Sequence, residues 1–372
     1  MSAMAKHAPP FRAEHVGSLL RPARLRRAFR EVSEGAIDEA AFARVQDECI
    51  REIVRLQEDA GLRVVTDGEF RRKSYWSHFV EAVEGLDVAT ARFDFRDESG
   101  ATTAFLAPHV IGPVRRRRSI CGNEYDFLRA ATPVTPKVTL PSPPTMHFWA
   151  AAGAAGRAGY RDDAAYLADL AEVYRAEIAD LASRGATYIQ IDEVPLAMLC
   201  DPALRARLEA SGEDPQDEVA RYVGLINACI GSRPPGVTVG VHLCRGNFKG
   251  RWLAEGGYGY VAERLFNDIE ADVFFLEYDT ERAGGFEPLA ALPPEKTAVL
   301  GLVSTKTAVL EPPGDLARRI EEASRYASLD RLALSPQCGF ASTVAGNPVS
   351  EATQAAKLRL VAEVARTVWN DA

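Results

Sequence analysis

Short runs of β-branched and other apolar residues alternate along the chain with longer segments whose apolar residues recur every three or four positions. The short runs are EHVGSL (14–19), RVVTDG (63–68), PKVTLP (136–141), YIQIDE (188–193), VTVGVHLC (237–244), DVFFLEYD (272–279), TAVLGLVS (297–304) and RLALSPQ (331–337). Each has the length and the bounding turn residues of a strand. The longer segments include EAAFARVQDECIREIVRLQEDAG (39–61), DAAYLADLAEVYRAEIADLASRG (163–185) and GDLARRIEEASRYAS (314–328). Their periodicity is helical, and Gly61 and Gly185 stand where helix stops belong. Eight strands alternating with helices predict an α/β fold, a (β/α)8 TIM barrel. A doubly wound open sheet is the alternative, but no glycine-rich phosphate fingerprint follows the first strand.

The alternation lapses between the second and third strands, over residues 71–135. ARFDFRDESGATTAFLAPHVIG (91–112) alternates around Glu98-Ser99-Gly100 and predicts a β-hairpin. We take 71–135 as an excursion from the barrel and residues 1–372 as one domain. Arg115, Arg116, Arg117 and Arg118 follow the hairpin. They read as a solvated strand or turn, or as an anion contact for a substrate tail or a neighbouring subunit.

Composition narrows the partners. The chain has 372 residues, is 47% hydrophobic and 26% charged, and carries a net charge of −8. That balance argues against a broad nucleic-acid footprint. No apolar stretch is long enough to span a bilayer. The N-terminal MSAMAKHAPPFRAEHVGS has no apolar signal core, so a cytoplasmic location is expected, and a homo-oligomer is compatible with the composition. Cys49, Cys121, Cys200, Cys229, Cys244 and Cys338 are scattered, which favours buried thiols, metal binding or catalysis over a disulfide framework.

In a (β/α)8 barrel the chemistry collects at the C-terminal strand ends. Those ends carry His15 and Ser18, Asp67 and Glu69, Asp192 and Glu193, His242 and Cys244, Glu277 and Asp279, Lys306, then Gln337 and Cys338. His242 and Cys244 are two apart, so on an extended strand they share a face. Taken singly, each is more often a core or hydrogen-bonding residue. Together, two thiolates, an imidazole and a carboxylate around one mouth are a donor set that zinc accepts, and the soft thiolates select it over magnesium or calcium.

HVGSLLRP (15–22), VTDGEF (65–70), IQIDEVPL (189–196), VHLCRGNF (241–248), FFLEYD (274–279) and LSPQCGF (334–340) resemble the catalytic barrel of the cobalamin-independent methionine synthase family over nearly the whole chain. The resemblance implies zinc held by His242, Cys244, Glu277 and Cys338. It implies activation of the homocysteine thiol and transfer of a methyl group to it from a methylfolate. Gly17 and Ser18 would hold the homocysteine carboxylate, and Glu69 and Asp192 its amine; His15, opening the same motif, is counted with the substrate-binding set. Trp149, in PPTMHFW after the third strand, falls where the family offers an aromatic surface to the pterin. The plainer readings are a turn at Gly17-Ser18, helix caps at Glu69 and Asp192, and a core aromatic at Trp149.

The sequence departs from the family in two places. Full-length members carry an additional N-terminal barrel that helps hold the folate. After the seventh strand the family has an Asp-x-His pair that serves the folate leaving group, whereas GLVSTKTAVLE (301–311) has Ser304 and Lys306 there. Lys306 is suited to holding an anionic group, and the donor, methylfolate or another small methyl carrier, stays open. The expected activity is zinc-dependent methyl transfer to homocysteine. The rivals are a transferase or lyase joining another small thiol to an epoxide or similar electrophile, a zinc hydrolase, and a zinc-stabilised binding protein.

Overall fold

The computed structural model describes residues 9–97, 99–150 and 153–370. Its strands, in chain order, are β1 (Val64–Val65), β2 (Val83–Thr90), β3 (Phe95–Arg96), β4 (Thr102–Thr103), β5 (Leu106–Arg116), β6 (Thr135–Pro136), β7 (Val138–Pro141), β8 (Tyr188–Glu193), β9 (Thr238–Leu243), β10 (Val273–Glu277), β11 (Thr297–Val303) and β12 (Leu332–Pro336). The fold is α/β. β7 to β12 form one parallel sheet in sequence order, and β1 pairs in parallel with β6, immediately before β7. Every residue of β7, β8 and β10 is buried, as expected of parallel strands covered on both faces. Phe11, Val64, Tyr188, Val273, Phe275, Val299 and Ala333 converge in one buried cluster, so the sheet curls around a shared interior.

Six of the eight expected strands are these sheet strands, and the other two are shorter than their apolar runs. At 14–19 no ladder strand forms. Ala13 bridges Leu334, and Glu14 N donates to Leu334 O at 2.9 Å, but Gly17 at φ +128° turns the chain out of extended geometry. β1 stops after two residues because Gly68 (φ +69°) and Glu69 (φ +60°) turn the chain across the sheet.

The two long helices, Glu39–Asp59 and Asp163–Ser183, follow their predicted spans. Asp38 and Asp162 cap them by accepting from the N–H groups of Ala41 and Ala165, and Gly61 and Gly185 follow their ends at φ +90° and +98°. The helix within 314–328 spans Pro313–Ala323. Among the described residues no helix is long and apolar enough to cross a membrane.

Within 71–135, β2 and β5 form an antiparallel ribbon, and β3 pairs with β4 as the predicted hairpin. Glu98, at its tip, lies outside the described residues. Arg96 and Trp252 exchange backbone bonds at 2.7 and 3.1 Å, which pins the hairpin to the loop after β9. Arg116 reaches Glu177 at 2.7 Å and also Asp180, and Arg117 lies 3.8 Å from Glu84. The basic run thus holds the ribbon to the helix Asp163–Ser183 and spends Arg116 on carboxylates of its own chain.

Candidate active site

β9 delivers His242 as its fifth residue, and Cys244 follows the strand on the same face. Cys338 stands two residues beyond β12. One ligand atom from each of the three lies within 4.8 Å of the others, and all three side chains are buried; no other such group occurs among the described residues. The Cys244 and Cys338 sulfurs are 3.3 Å apart. His242 Nδ1 lies 3.1 Å from Asp192 Oδ1, which also accepts from Gln190 Nε2 at 2.7 Å. A carboxylate can only accept, so Nδ1 carries the proton, and His242 Nε2 is left buried without a hydrogen-bond partner.

The electrostatics of this trio favour an imidazolium beside the Cys338 thiolate. Burial alone lowers the His242 pKa, but Asp192 and Cys338 outweigh it and raise it to about 10. The bond from Cys244, and then His242, bring Cys338 down to about 5 against burial. Cys244, sharing that bond, is held well above the ordinary thiol value. A buried imidazole fixed by a carboxylate through one nitrogen, with its other nitrogen unpartnered beside two sulfurs, is a donor set of the kind that can hold a metal.

Glu277 and Lys306 stand outside that group of three. Glu277 Oε1 accepts from Lys306 Nζ at 2.8 Å and Oε2 from Arg245 N at 3.1 Å. Burial would raise the Glu277 pKa, yet Lys306 and Arg245 keep it below the usual carboxylate range. Burial would likewise lower Lys306, and Glu277 with Asp279 reverses that. The structure therefore gathers three of the four expected ligands, and Lys306 is committed to the fourth.

Glu69 is buried at a left-handed φ of +60°, a conformation that costs a non-glycine residue on the order of 1–3 kcal/mol. Arg21 secures that turn, donating to Glu69 O at 2.7 Å, Arg72 O at 3.0 Å and Ala341 O at 2.6 Å. Glu69 Oε1 accepts from Thr139 Oγ1 at 2.9 Å and lies 3.5 Å from Arg72, while Oε2 is buried without a partner. Burial lifts its pKa to about 7; Arg72 opposes that shift and Asp192 adds to it. A side chain at position 17 would meet Thr139 Cγ2 at 2.8 Å, and one at 339 would meet Ser18 Oγ at 1.9 Å. The two glycines let the Ser18 hydroxyl pack into this turn.

These groups open into one cavity of about 350 Å³. Ser18, Glu69, Asp192, His242, Cys244 and Cys338 line its base, and Trp149 lies in its wall. His15 does not reach it: its Nε2 faces Val64 O at 3.3 Å beneath the site, and burial, then Lys137, drop its pKa to about 3. Glu277, Lys306 and Gly17 do not line it either. Sequence reasoning missed Arg21, whose signal was a guanidinium set inside the apolar HVGSLLRP run. It also missed Asn247, which lines the cavity with a buried, unpartnered Oδ1. Phe95, Phe105 and Phe248 were missed as well; the first two belong to the hairpin segment and Phe248 to the loop after β9.

Residues 11–366 match the family described as the cobalamin-independent synthase catalytic domain. The uncharacterized protein YxjG of Bacillus subtilis is 40% identical over 97% of this chain and 95% of its own length. The methionine synthase of Pyrococcus abyssi is 25% identical over 87% of this chain and 85% of its own. A Listeria monocytogenes structure named "Putative Vitamin-B12 Independent Methionine Synthase" superposes with a TM-score of 0.76 at 31% identity, covering 98% of this chain and 99% of that one.

Proposed function

Because the chain belongs to the cobalamin-independent synthase catalytic-domain family, we propose that it is a zinc-dependent S-methyltransferase that converts homocysteine to methionine. The supporting observation is the opening of two unsatisfied features into one cavity: the His242, Cys244 and Cys338 group and the unpartnered carboxylate oxygen of Glu69. The first suits a metal and the second suits an ammonium.

In this reading His242, Cys244 and Cys338 hold zinc, with Glu277 the fourth candidate once it gives up Lys306. Bound there, zinc supplies the charge that keeps a substrate thiol deprotonated at neutral pH. The chain's own residues place that thiol. Glu69 Oε2 and Asp192 take the homocysteine ammonium, and the Ser18 hydroxyl in the Gly17-Ser18 turn takes the carboxylate. Two anchors on the amino-acid end leave the sulfur directed at the metal group and the opposite side open to the donor, which is the positional contribution to methyl transfer. The Asp192 bond to His242 couples the amine anchor to the metal ligand. A thiol bearing a sulfonate in place of the ammonium would meet two carboxylates and is disfavoured.

The test is zinc-edge X-ray absorption on the purified protein with and without homocysteine. The expected result is about one zinc per chain and one additional Zn–S contact at ~2.3 Å with homocysteine. Cys244→Ser and Cys338→Ser should each lose most of the metal with an unchanged far-UV circular dichroism spectrum. A protein that binds zinc but adds no sulfur from homocysteine would overturn the proposal.

A further inference from the structure

The donor side of the cavity has a composition of its own. Phe248, Phe95, Phe105 and Trp149 form a continuous wall, with ring centroids 5.4, 4.8 and 5.3 Å apart in that order. Tyr75 and Trp76 also line the cavity. Four of these six rings, Tyr75, Trp76, Phe95 and Phe105, come from the 71–135 excursion. The carboxyl, imidazole and thiol groups in the lining are those of Glu69, Asp192, His242, Cys244 and Cys338; among the described residues no Lys or Arg lines it. Arg251 is held by Asp97 at 3.0 Å and by Thr103, and does not line the cavity. Lys249 is exposed and does not line it, although its Nζ lies over Phe248, 5.4 Å from the ring centroid, and Lys306 is paired to Glu277.

A continuous aromatic wall in a cavity whose lining has no Lys or Arg among the described residues favours a positively charged guest. The ring faces attract cations, most strongly where water is excluded. A flat heterocycle could stack on the same wall, but an acidic tail on it would find no cationic side chain in the lining and would have to reach the exposed Lys249, whose Nζ lies 5.4 Å from the Phe248 ring centroid.

We propose that the methyl donor of this protein is a compact methyl-onium compound, a sulfonium or quaternary ammonium, seated on the Phe248–Phe95–Phe105–Trp149 wall. The inference rests on the homocysteine methyltransferase reading and names its second substrate. Chemically, the methyl–heteroatom bond of the donor breaks with its electron pair remaining on the heteroatom. The homocysteine sulfur forms the new S–C bond, its proton goes to solvent, and a neutral sulfide or tertiary amine leaves. No acid has to protonate the leaving group, in keeping with Ser304 and Lys306 where the family has its Asp-x-His pair.

The test uses the zinc-loaded full chain. Calorimetry compares choline with its neutral isostere 3,3-dimethylbutan-1-ol, and choline is expected to bind about tenfold tighter. Phe105→Leu and Phe248→Leu, both at half-buried positions, should erase most of that preference while leaving the isostere and the added Zn–S contact from homocysteine unchanged. Single-turnover methionine formation is then measured with trimethylsulfonium, tetramethylammonium and 5-methyltetrahydrofolate at equal concentration. Turnover from either onium, at least tenfold above the folate, supports the proposal and distinguishes the two onium classes. Equal affinity for choline and its isostere, or faster turnover from the folate, overturns it. Failure of homocysteine to add a Zn–S contact would instead overturn the acceptor assignment, so the two failures are separable.

Discussion

The family resemblance assigns Asp192 to the homocysteine amine, and the structure adds a contact to His242 whose loss can be measured. Its Oδ1 accepts from His242 Nδ1 at 3.1 Å and from Gln190 Nε2 at 2.7 Å, so it fixes the ring whose Nε2 faces the thiols. Replacing a carboxylate that supports a ligating histidine costs about 10–100-fold in metal affinity. At ~1.4 kcal/mol per tenfold, that is roughly 1.4–2.8 kcal/mol. In Asp192→Asn the amide oxygen can still accept from Nδ1, so only the charge is lost and the lower end applies, about tenfold. Asp192→Ala removes the bond as well and should approach a hundredfold. The assay is competition for zinc against a chromophoric chelator at fixed pH, with circular dichroism as the folding control. Glu69→Gln is the matched comparison: it touches no metal candidate, so its zinc affinity should stay within about twofold while homocysteine binding weakens by on the order of 1.5–3 kcal/mol. Wild-type zinc affinity in Asp192→Asn and Asp192→Ala would show that the Asp192–His242 contact does not support the metal.

Lys306→Met should free Glu277 from its 2.8 Å ion pair, lowering the stability of the metal-free protein by on the order of 3 kcal/mol. Zinc should restore that loss and bind more tightly than in wild type, with an additional oxygen ligand in X-ray absorption; unchanged coordination would deny Glu277 any part in the site. Glu69 is protonated below its raised pKa of about 7 and cannot then pair with an ammonium. Homocysteine affinity should therefore fall on acidification through about pH 7, and the advantage of wild type over Glu69→Gln should shrink there; a pH-independent advantage would contradict this. Arg21→Met strips three buried carbonyl acceptors of their donor, at roughly 1–3 kcal/mol apiece. Urea unfolding should show a loss of ~3 kcal/mol or more, and a loss under 1 kcal/mol would mean that the Glu69 turn holds itself.

The parallel strands were legible because burial on both faces leaves a continuous apolar run. YIQIDE matches β8 residue for residue, and FFLE closes β10 at Glu277. The first two runs misled for a common reason. Gly17, Gly68 and Glu69 bend the backbone to present Ser18 and the Glu69 carboxylate, and apolar pattern carries no record of φ. For the site, spacing placed His242 and Cys244 on one face and a barrel topology brought Cys338 to them. It could not tell that Glu277 would face an ammonium, because Lys306 lies 29 residues away in sequence. His15 failed to reach the cavity for a geometric reason: it precedes the Gly17 turn, so its ring stays at the level of Val64 O, beneath the strand ends.

The two halves of the cavity are built under different constraints, and this bears on how the donor can differ between relatives. His242 is tied to strand register and Cys244 directly follows the same strand, so moving either by one residue would turn its side chain to the opposite face, while Cys338 is set by the bend just after β12. The aromatic wall answers to no such register. Phe95 and Phe105 ride on a two-residue hairpin pair and the start of the β2–β5 ribbon, secured by the Arg96–Trp252 exchange and by ion pairs of Arg92 with Glu213, Arg96 with Asp201 and Asp97 with Arg251. On the proposed reading, changes there can reshape the donor side at little cost to the sheet, whereas changes at His242, Cys244 or Cys338 would remove the proposed metal ligands. A direct check is to exchange residues 91–106 with the corresponding segment of the Pyrococcus abyssi methionine synthase. Zinc content and the added Zn–S contact from homocysteine should survive, and the preference for choline over its neutral isostere should change. Loss of zinc in a folded exchange protein would show that the hairpin supports the acceptor half as well, and that the two sides are not separable.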